Sequence, residues 1–487
     1  MSGSDAAPVL VWFRRDLRLA DSPALAEAAE TGAPVIPVYV LDERLEGRPI
    51  GGAARWWLEK SLRALAASLE AIGSRLLLRR GEAGEQIGRL VAETGASAVF
   101  WNRLYEPEAA ARDRALAERL RASGVRAEAF KGSLLAEPGA VLNGSGGPYR
   151  VYTPFARALR AHVGWPKLRR APERLTAPSS WPASEDLNAW GLHPTRPDWS
   201  TGFDWTPGEE AANARLHGFL DEALDAYPTA RDRPDVDGTT RLSPHLHWGE
   251  IGPAQVLCAA RGAAEQGLAS ERAAEKLIGE IAWREFNAHT LHHLPHMPDR
   301  PLRPAFERFP FRDDPDGLEA WRRGRTGYPI VDAGLRQLWA TGWMHNRVRM
   351  IVASFLVKDL LIDWRQGEAW FWDTLVDADA ANNAANWQWI AGSGQDAAPF
   401  FRIFNPVTQG EKFDSEGVYV RRWIPELKSL PDAYVHKPWT APAPVLTRAG
   451  VRIGGDYPGP VVDHGRARAR ALEAFATLKE QDSTKRA

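Results

Sequence analysis

Four short segments carry residues that can do chemistry at meaningful spacing. In Glu280-Ile281-Ala282-Trp283-Arg284, the i, i+3, i+4 pattern sets Glu280, Trp283 and Arg284 on one helix face. An acid, a flat stacking ring and a phosphate-seeking guanidinium together suit a nucleobase swung out of its stack. The same residues also describe an i, i+4 Glu–Arg pair beside a core tryptophan. In Trp343-Met344-His345-Asn346-Arg347-Val348-Arg349-Met350, Asn346 and Met350 share a face, Arg347 lies beside them and Arg349 points away from them. Two arginines facing different ways can serve two anionic ligands; an amphipathic helix with a charged first turn has the same pattern. Gly238-Thr239-Thr240-Arg241-Leu242-Ser243-Pro244 is a hydroxyl-rich turn entering a helix. Its backbone N–H groups, hydroxyls and Arg241 suit a diphosphate, and they equally make a plain N-cap. Residues 377–389 (DADAANNAANWQW) are polar and small between tryptophans, so a flat ligand can approach the backbone; Asn382 or Asn383 as a helix cap is the alternative.

Seven of the chain's 21 tryptophans lie from Trp339 to Trp389: Trp339, Trp343, Trp364, Trp370, Trp372, Trp387 and Trp389. Indole is apolar, stackable and readily oxidised. Such a cluster serves as core, as stacking platform or as a path for electrons.

The elements that must position these residues follow from periodicity. Residues 9–13 and 35–41 read as buried strands, with shorter ones at 75–79, 98–101 and 125–130. Helices are expected from Ser22-Pro23 to Gly32, over 53–72 and near 85–93 and 107–122. Alternation of this kind implies a parallel sheet covered on both faces. No G-x-G-x-x-G follows the first strand, so this domain is not expected to carry the main chemistry. Residues 131–205 are irregular and rich in Pro, Gly, Ser and Trp. Within them, residues 150–174 hold seven Arg or Lys against one acid, Glu173, which is either a solvated helix face or part of a surface for an anionic polymer. Beyond about residue 206 helical patterns dominate, and residues 343–364 read as the clearest helix, striped by Val348, Ile351, Val352, Phe355, Leu356 and Leu360.

The bulk numbers exclude several classes. At 487 residues two domains are expected. A net charge of −1 confines any nucleic-acid surface to a local patch. A single cysteine, Cys258, excludes an internal disulfide and a Cys-ligated iron–sulfur cluster, and reads as a buried apolar group. The first apolar run ends at Arg14-Arg15-Asp16, as a strand does and a signal peptide does not, and no uncharged stretch approaches a bilayer span. The expected location is cytoplasmic.

Six motifs in fixed order resemble the DNA photolyase/cryptochrome family over residues 9–475: Val-Trp-Phe-Arg-Arg-Asp-Leu-Arg (11–18), Gly-Thr-Thr-Arg-Leu-Ser-Pro (238–244), Gly-Tyr-Pro-Ile-Val-Asp-Ala (327–333), Trp-Met-His-Asn-Arg-Val-Arg-Met (343–350), Trp-Gln-Trp (387–389) and Phe-Arg-Ile-Phe-Asn-Pro (401–406). The resemblance implies an α/β antenna domain with a parallel, Rossmann-like sheet (1–130), a linker (131–205), an all-α C-terminal FAD- and DNA-binding domain (206–475) and a short tail (476–487). It implies that Tyr227, Thr239, Thr240, Arg241, Leu242 and Ser243 hold the flavin and its phosphates. Arg349, Asp377 and Asp379 would surround the isoalloxazine and ribose, with Asn383 beside flavin N5. Glu280, Trp283, Asn346, Met350 and Trp389 would line a lesion pocket, and Arg231, Arg284, Arg347 and Gln409 would contact DNA.

Within the family, a (6-4) photolyase is expected to carry histidines where Asn346 and Met350 stand. A plant-type cryptochrome usually has Asp, and an animal one Cys, in place of Asn383, and cryptochromes tend to carry long extensions after the fold. The resemblance therefore implies the bacterial class I/III branch and light-driven repair of cyclobutane pyrimidine dimers in UV-damaged DNA, single- or double-stranded. Excited FADH⁻ would donate the electron, Glu280 would hydrogen-bond a thymine carbonyl, no metal would take part, and the protein would act as a monomer. The alternative is a cryptochrome-like blue-light photoreceptor with little or no repair activity.

The family's photoreduction path has three tryptophans. Trp387 and Trp364 match the first two, and Phe311 stands at the third. Phenylalanine is much harder to oxidise than indole, so photoreduction is expected to be impaired unless Trp321, Trp339 or Trp343 takes over. For an antenna, residues 102–108 lack the Asn-Glu pair of one folate-binding branch, and residues 51–58 resemble members with several different pigments. Methenyltetrahydrofolate, 8-hydroxy-5-deazaflavin and an empty site all stay open.

Overall fold

A computed structural model of the protein describes residues 6–43, 47–396 and 401–486, with side chains described through Leu478. Strands β1 (Val9–Phe13), β2 (Val35–Leu41), β3 (Leu77–Arg80), β4 (Ala98–Asn102) and β5 (Arg126–Phe130) form one parallel sheet in the order β3-β2-β1-β4-β5. Side chains of β1 alternate between faces. Val9, Val11 and Phe13 pack with helices Pro23–Glu30 and Gly52–Ala71, while Leu10 and Trp12 pack with Ala83–Thr94 and Pro107–Ala122. Both faces are buried, which is why the strands read as unbroken apolar runs.

The strand order reverses between β1 and β4, the crevice where open α/β sheets usually take a ligand. Here the chain fills it with its own polar groups. Arg14 donates to Asp113 at 2.6 Å and to the Asn102 carbonyl, and Asn102 donates to Asp16 at 2.7 Å. The rest of the 11–18 motif docks the helical domain. Leu17 N–H donates to the Trp248 carbonyl at 3.1 Å and Arg18 to the Gly249 carbonyl at 2.9 Å. Arg15 pairs with Glu106 and reaches Asp379 at 3.4 Å. Arg15 and Arg18 of this motif join the domains, while Arg14 ties the α/β domain to itself.

No strand follows Phe130 among the described residues. Three sequence expectations change. The connection 131–205 contains helix Tyr152–Val163 and a 3-10 turn, Leu187–Trp190. Phe155, Ala156 and Leu159 bury one stripe of that helix beside Ile281, Ala282 and Phe286, while Arg150, Arg157, Lys167, Arg170 and Arg174 stay exposed. Second, residues 343–364 are not one helix. Helix Asn346–Ser354 passes into a π turn, Phe355–Asp359, then breaks at Leu361 (φ +57°), and a new helix begins at Trp364, capped by Asp363. The expected stripe is buried throughout, but from Phe355 to Asp359 every side chain is buried, so one amphipathic face no longer sets the register. The wider turn lets Lys358 donate to the Ala391 carbonyl at 2.8 Å and Asp359 meet His464. Third, the expected tail is the end of helix His464–Arg486. Cys258 is half-buried, its Sγ 3.5 Å from the Pro166 carbonyl. No helix among the described residues is long and apolar enough to cross a membrane.

Candidate functional site

Helix Glu271–His293 presents Glu280 and Trp283. Trp283 stacks flat on Tyr152, with ring centroids 3.6 Å apart and 3° between planes. The Tyr152 hydroxyl donates to the Gly279 carbonyl at 2.7 Å, one turn before Trp283, so the phenol is held at both ends. Burial pushes that phenol up to about 12, which keeps it a neutral donor. Asp396 links this stack to the second aromatic wall. Its carboxylate accepts from the Tyr152 N–H at 3.2 Å, and its carbonyl accepts from Trp389 Nε1 at 3.2 Å. Trp283 and Trp389, expected to line one pocket, thus belong to one connected unit. Residues 397–400 of the motif that follows lie outside the described residues.

Glu280 lies between two cations, paired with Arg231 and 3.4 Å from Lys276. Arg231, expected at DNA, is therefore engaged with the pocket acid. Arg284, expected at DNA, donates here to the carbonyls of Ser133 at 2.8 Å and Leu246 at 3.4 Å and is 17% exposed, so it holds the linker against the helix. Helical spacing placed its Cβ beside Glu280, but its long stem carries the guanidinium to buried carbonyls. Asn346 is exposed at the start of its helix and Met350 is half-buried one turn on. Arg347 contacts Met350 Sδ at 3.7 Å, donates to Asp232 at 2.8 Å and lies 4.5 Å over Phe413. Phe413 ends helix Pro406–Phe413, which carries Gln409 one turn earlier.

A second group gathers behind this pocket. Gly238 abuts Ala230, where a Cβ would come within 2.7 Å, so the turn presses on helix Tyr227–Ala230. Tyr227 is buried there, edge-on to Phe219 at 5.4 Å. Arg241 adopts φ +49°, and Thr240 Oγ1 accepts from the Leu242 N–H at 3.2 Å. Thr239 is half-buried and Ser243 exposed, the latter taking Trp343 Nε1 at 3.3 Å. The helix that follows, Ser243–Trp248, has only six residues, so anion binding here rests on hydroxyls and Arg241 more than on a helix dipole. Arg349 donates to Asp377 at 2.8 Å and to the Met344 carbonyl at 2.8 Å.

Asp379, expected near the flavin, has its partners within the chain. Its carboxylate caps helix Ala380–Ala391 through the Asn382 N–H at 2.8 Å and meets Arg15 and, at 3.6 Å, His247. Burial alone would raise its pKa; His247 and Arg15 outweigh this and hold it well below the usual carboxylate range. Both oxygens are engaged, so Asp379 serves the domain junction.

Asn383 lies on the same helix and donates both amide hydrogens to Glu368, at 3.0 Å to its carbonyl and 2.8 Å to Oε1. Two acceptors at one atom fix that atom as nitrogen. The amide oxygen is left unclaimed among the described residues. Buried atoms nearby in sequence also lack partners: Asp377 Oδ1 and His345 Nε2. His345 Nδ1 accepts from the Arg347 N–H at 3.2 Å, and burial lowers its pKa to about 4, so Nε2 carries the proton and is a free donor. Unsatisfied buried donors and acceptors beside a hydroxyl-rich turn are what a large polar cofactor requires. The residues present fit a flavin dinucleotide.

Trp387 is buried against helix Trp364–Thr374, where a Cβ on Gly367 would lie 2.1 Å from its ring. Trp364 is buried three residues earlier. Phe311 meets Phe309 at 4.8 Å beside Phe306, Phe401 and Phe475, and also packs against the core that holds Trp321, Trp364 and Trp387. Of the three alternatives, Trp321 touches Trp387, edge-on at 6.2 Å. Trp339 is 55% exposed and stacks on Trp370 at 6.0 Å. Trp343 packs on Trp205 and His345.

Tyr152, Asp396, Glu368 and Arg48 escaped the sequence reading. Tyr152 fell in a segment read as irregular. Glu368 left a signal: it stands four residues from both Trp364 and Trp372, a charge on an aromatic stripe.

A family model described as the FAD binding domain of DNA photolyase matches residues 277–477, and one described as DNA photolyase matches residues 9–177. The chain is 54% identical over 476 residues to a deoxyribodipyrimidine photo-lyase of Agrobacterium fabrum, covering 97% of this chain and 98% of that protein. It is 38% identical to Cryptochrome-1 of Arabidopsis thaliana, covering 98% of this chain and 71% of that protein. The crystal structure of a bacterial class III photolyase from Agrobacterium tumefaciens matches with a TM-score of 0.95 at 53% identity, covering 98% of this chain and 99% of that one.

Proposed function

The chain belongs to the DNA photolyase family, and we infer from this membership that it is a deoxyribodipyrimidine photo-lyase that repairs cyclobutane pyrimidine dimers in DNA with light. The observation that carries the reading at the level of side chains is the pair of tied aromatic walls, Trp283 on Tyr152 and Trp389, with Glu280 on the helix of the first. It binds FAD, which supplies the light-excited electron donor when bound. Tyr227, Thr239, Thr240, Arg241, Leu242 and Ser243 would hold its phosphate side, and Arg349, Asp377 and Asn383 its ring side.

The chain's own part is to extract, orient and stabilise the lesion. A dimer leaves the stack at low cost because its pairing is already weakened. Trp283 and Trp389 take its apolar faces, and Met350 and Asn346 close the opening. Arg347, Gln409 and Arg284 would meet the strand beside it, and Arg231 would join them once Glu280 has left it. Glu280 swings from that partner to a thymine carbonyl and stabilises the charge that develops there. Glu280→Ala should therefore lower repair yield several-fold while changing dimer affinity much less; equal quantum yields in mutant and wild type would remove this role.

Photoreduction depends on the ring that follows Trp364 at the third position, or on another indole that takes over from Trp387. Phe311→Trp should increase the reduced flavin that persists under blue light with an external donor. Trp321→Phe should decrease it, because Trp321 is the indole in contact with Trp387. No change in either variant would place the path elsewhere.

We divide the chain functionally at 130 and 205, with a monomer in the cytoplasm acting on single- or double-stranded DNA. For the antenna site, methenyltetrahydrofolate, 8-hydroxy-5-deazaflavin and no pigment are the alternatives, which the absorption spectrum of the purified protein distinguishes. The deciding experiment is restoration of a dimer-bearing oligonucleotide in light against dark. A flavin spectrum without light-dependent restoration would favour the photoreceptor reading, which the likeness to Cryptochrome-1 keeps in view.

A further inference from the structure

The Asn383 amide is oriented by a group delivered from the other domain. Glu368, which accepts both of its hydrogens, has a side chain only 4% exposed. Its two carboxylate oxygens take both ends of the Arg48 guanidinium, Nη1 at 2.9 Å and Nη2 at 2.6 Å. Arg48 lies between β2 and helix Gly52–Ala71, in the α/β domain. Its guanidinium is stacked on Trp372, Cζ 3.4 Å from the ring centroid, and Trp372 Nε1 donates to the Pro49 carbonyl at 2.8 Å. A forked ion pair on one edge and an aromatic face against the plane leave this guanidinium one position, which a lysine ammonium does not reproduce.

We propose that Arg48 is a positioning residue that, through Glu368, holds the Asn383 amide with its oxygen toward the flavin and so helps keep bound FAD reduced. This rests on the FAD reading above. A carboxylate this buried needs a cation, and among the described residues Glu368 has no other ion-pair partner. Without Arg48 the carboxylate takes up a proton or turns toward water. In either case the side-chain acceptor is lost and only the Glu368 main-chain carbonyl still holds the amide, which is then free to turn its N–H or its oxygen toward the flavin. An acceptor suits the protonated N5 of reduced flavin and an N–H donor suits the oxidised ring. Losing the fixed orientation therefore favours oxidation.

The test uses the full-length holoprotein and reads the flavin directly. The flavin is reduced chemically, and its reoxidation by dioxygen is followed by absorbance together with its midpoint potential. Arg48→Gln should reoxidise on the order of tenfold faster, the scale of one lost buried hydrogen bond to a charged group, with a lower potential. Arg48→Lys should fall between it and wild type. Asp373→Ala is the control for mere docking, because Asp373 pins the neighbouring Gly52 N–H at 2.8 Å without touching Glu368, and it should behave as wild type. Combining Arg48→Gln with Glu368→Gln should add nothing to Glu368→Gln alone, since both act through one carboxylate. Wild-type reoxidation in Arg48→Gln, or equal acceleration in Asp373→Ala, would overturn the proposal. A wild-type protein that fails to repair dimers while Arg48→Gln still shifts the flavin would sink the photolyase reading and leave this one standing.

Discussion

Replacing Trp283 with alanine should weaken binding of dimer-bearing DNA by about tenfold to a hundredfold, the range expected when one base loses its aromatic stacking partner. The indole already has one face on Tyr152 at 3.6 Å, so a base is offered only the opposite face. Tyr152 cannot move in to replace it. Its hydroxyl is held by Gly279 and its N–H by Asp396, so truncation leaves a gap of ring thickness. Undamaged duplex keeps its bases stacked and touches the protein mainly through phosphates, so its affinity should change by less than about twofold. Titrations of both DNAs by fluorescence anisotropy at one salt concentration check this. A parallel loss for damaged and undamaged DNA would make Trp283 a general contact. Tyr152→Phe should preserve discrimination, because the ring stays.

Gly249→Ala should cost more than about 3 kcal/mol of stability, the size reached when strain and steric overlap coincide. Gly249 has φ +67°, and a Cβ there would lie 2.1 Å from the Arg15 carbonyl oxygen and 2.6 Å from Asp16 Cα. Neither side can yield cheaply. Arg18 donates to the Gly249 carbonyl and Leu17 N–H to that of Trp248, while Asp16 is buried under Asn102. The overlap is therefore relieved by parting the domains, which pulls Arg15 from Asp379 and loosens the cap of the helix that carries Asn383, Trp387 and Trp389. Thermal unfolding and flavin retention report the result together. A Tm within about 2 °C of wild type, with full flavin, would mean that the interface is softer than this packing implies.

Helix and strand identity were legible where neighbours along the chain decide them. The unbroken apolar run of β1, buried on both faces, and the 53–72 stripe stated their elements from local pattern alone. The same logic failed at residues 343–364, since burial on every side from Phe355 to Asp359 erases the period that a helix must keep. Motif order carried the family, and spacing placed Glu280 and Trp283 on one helix.

Charged partners were decided only in the folded chain. Arg284 sat correctly on its helix and still turned to carbonyls of Ser133 and Leu246. Asp379 sat correctly in its motif and still joined Arg15, 364 positions away. Arg48 and Glu368, 320 positions apart, carried no joint signal at all. The physical reason is reach and desolvation. A periodic pattern fixes where a Cβ points to within a turn, but a guanidinium extends well beyond it and binds whichever acceptor the tertiary fold strips of water. The sequence by itself therefore determined most of the elements and the family. Only the packed structure decided which ions meet, and with them which atom of the Asn383 amide is engaged by Glu368.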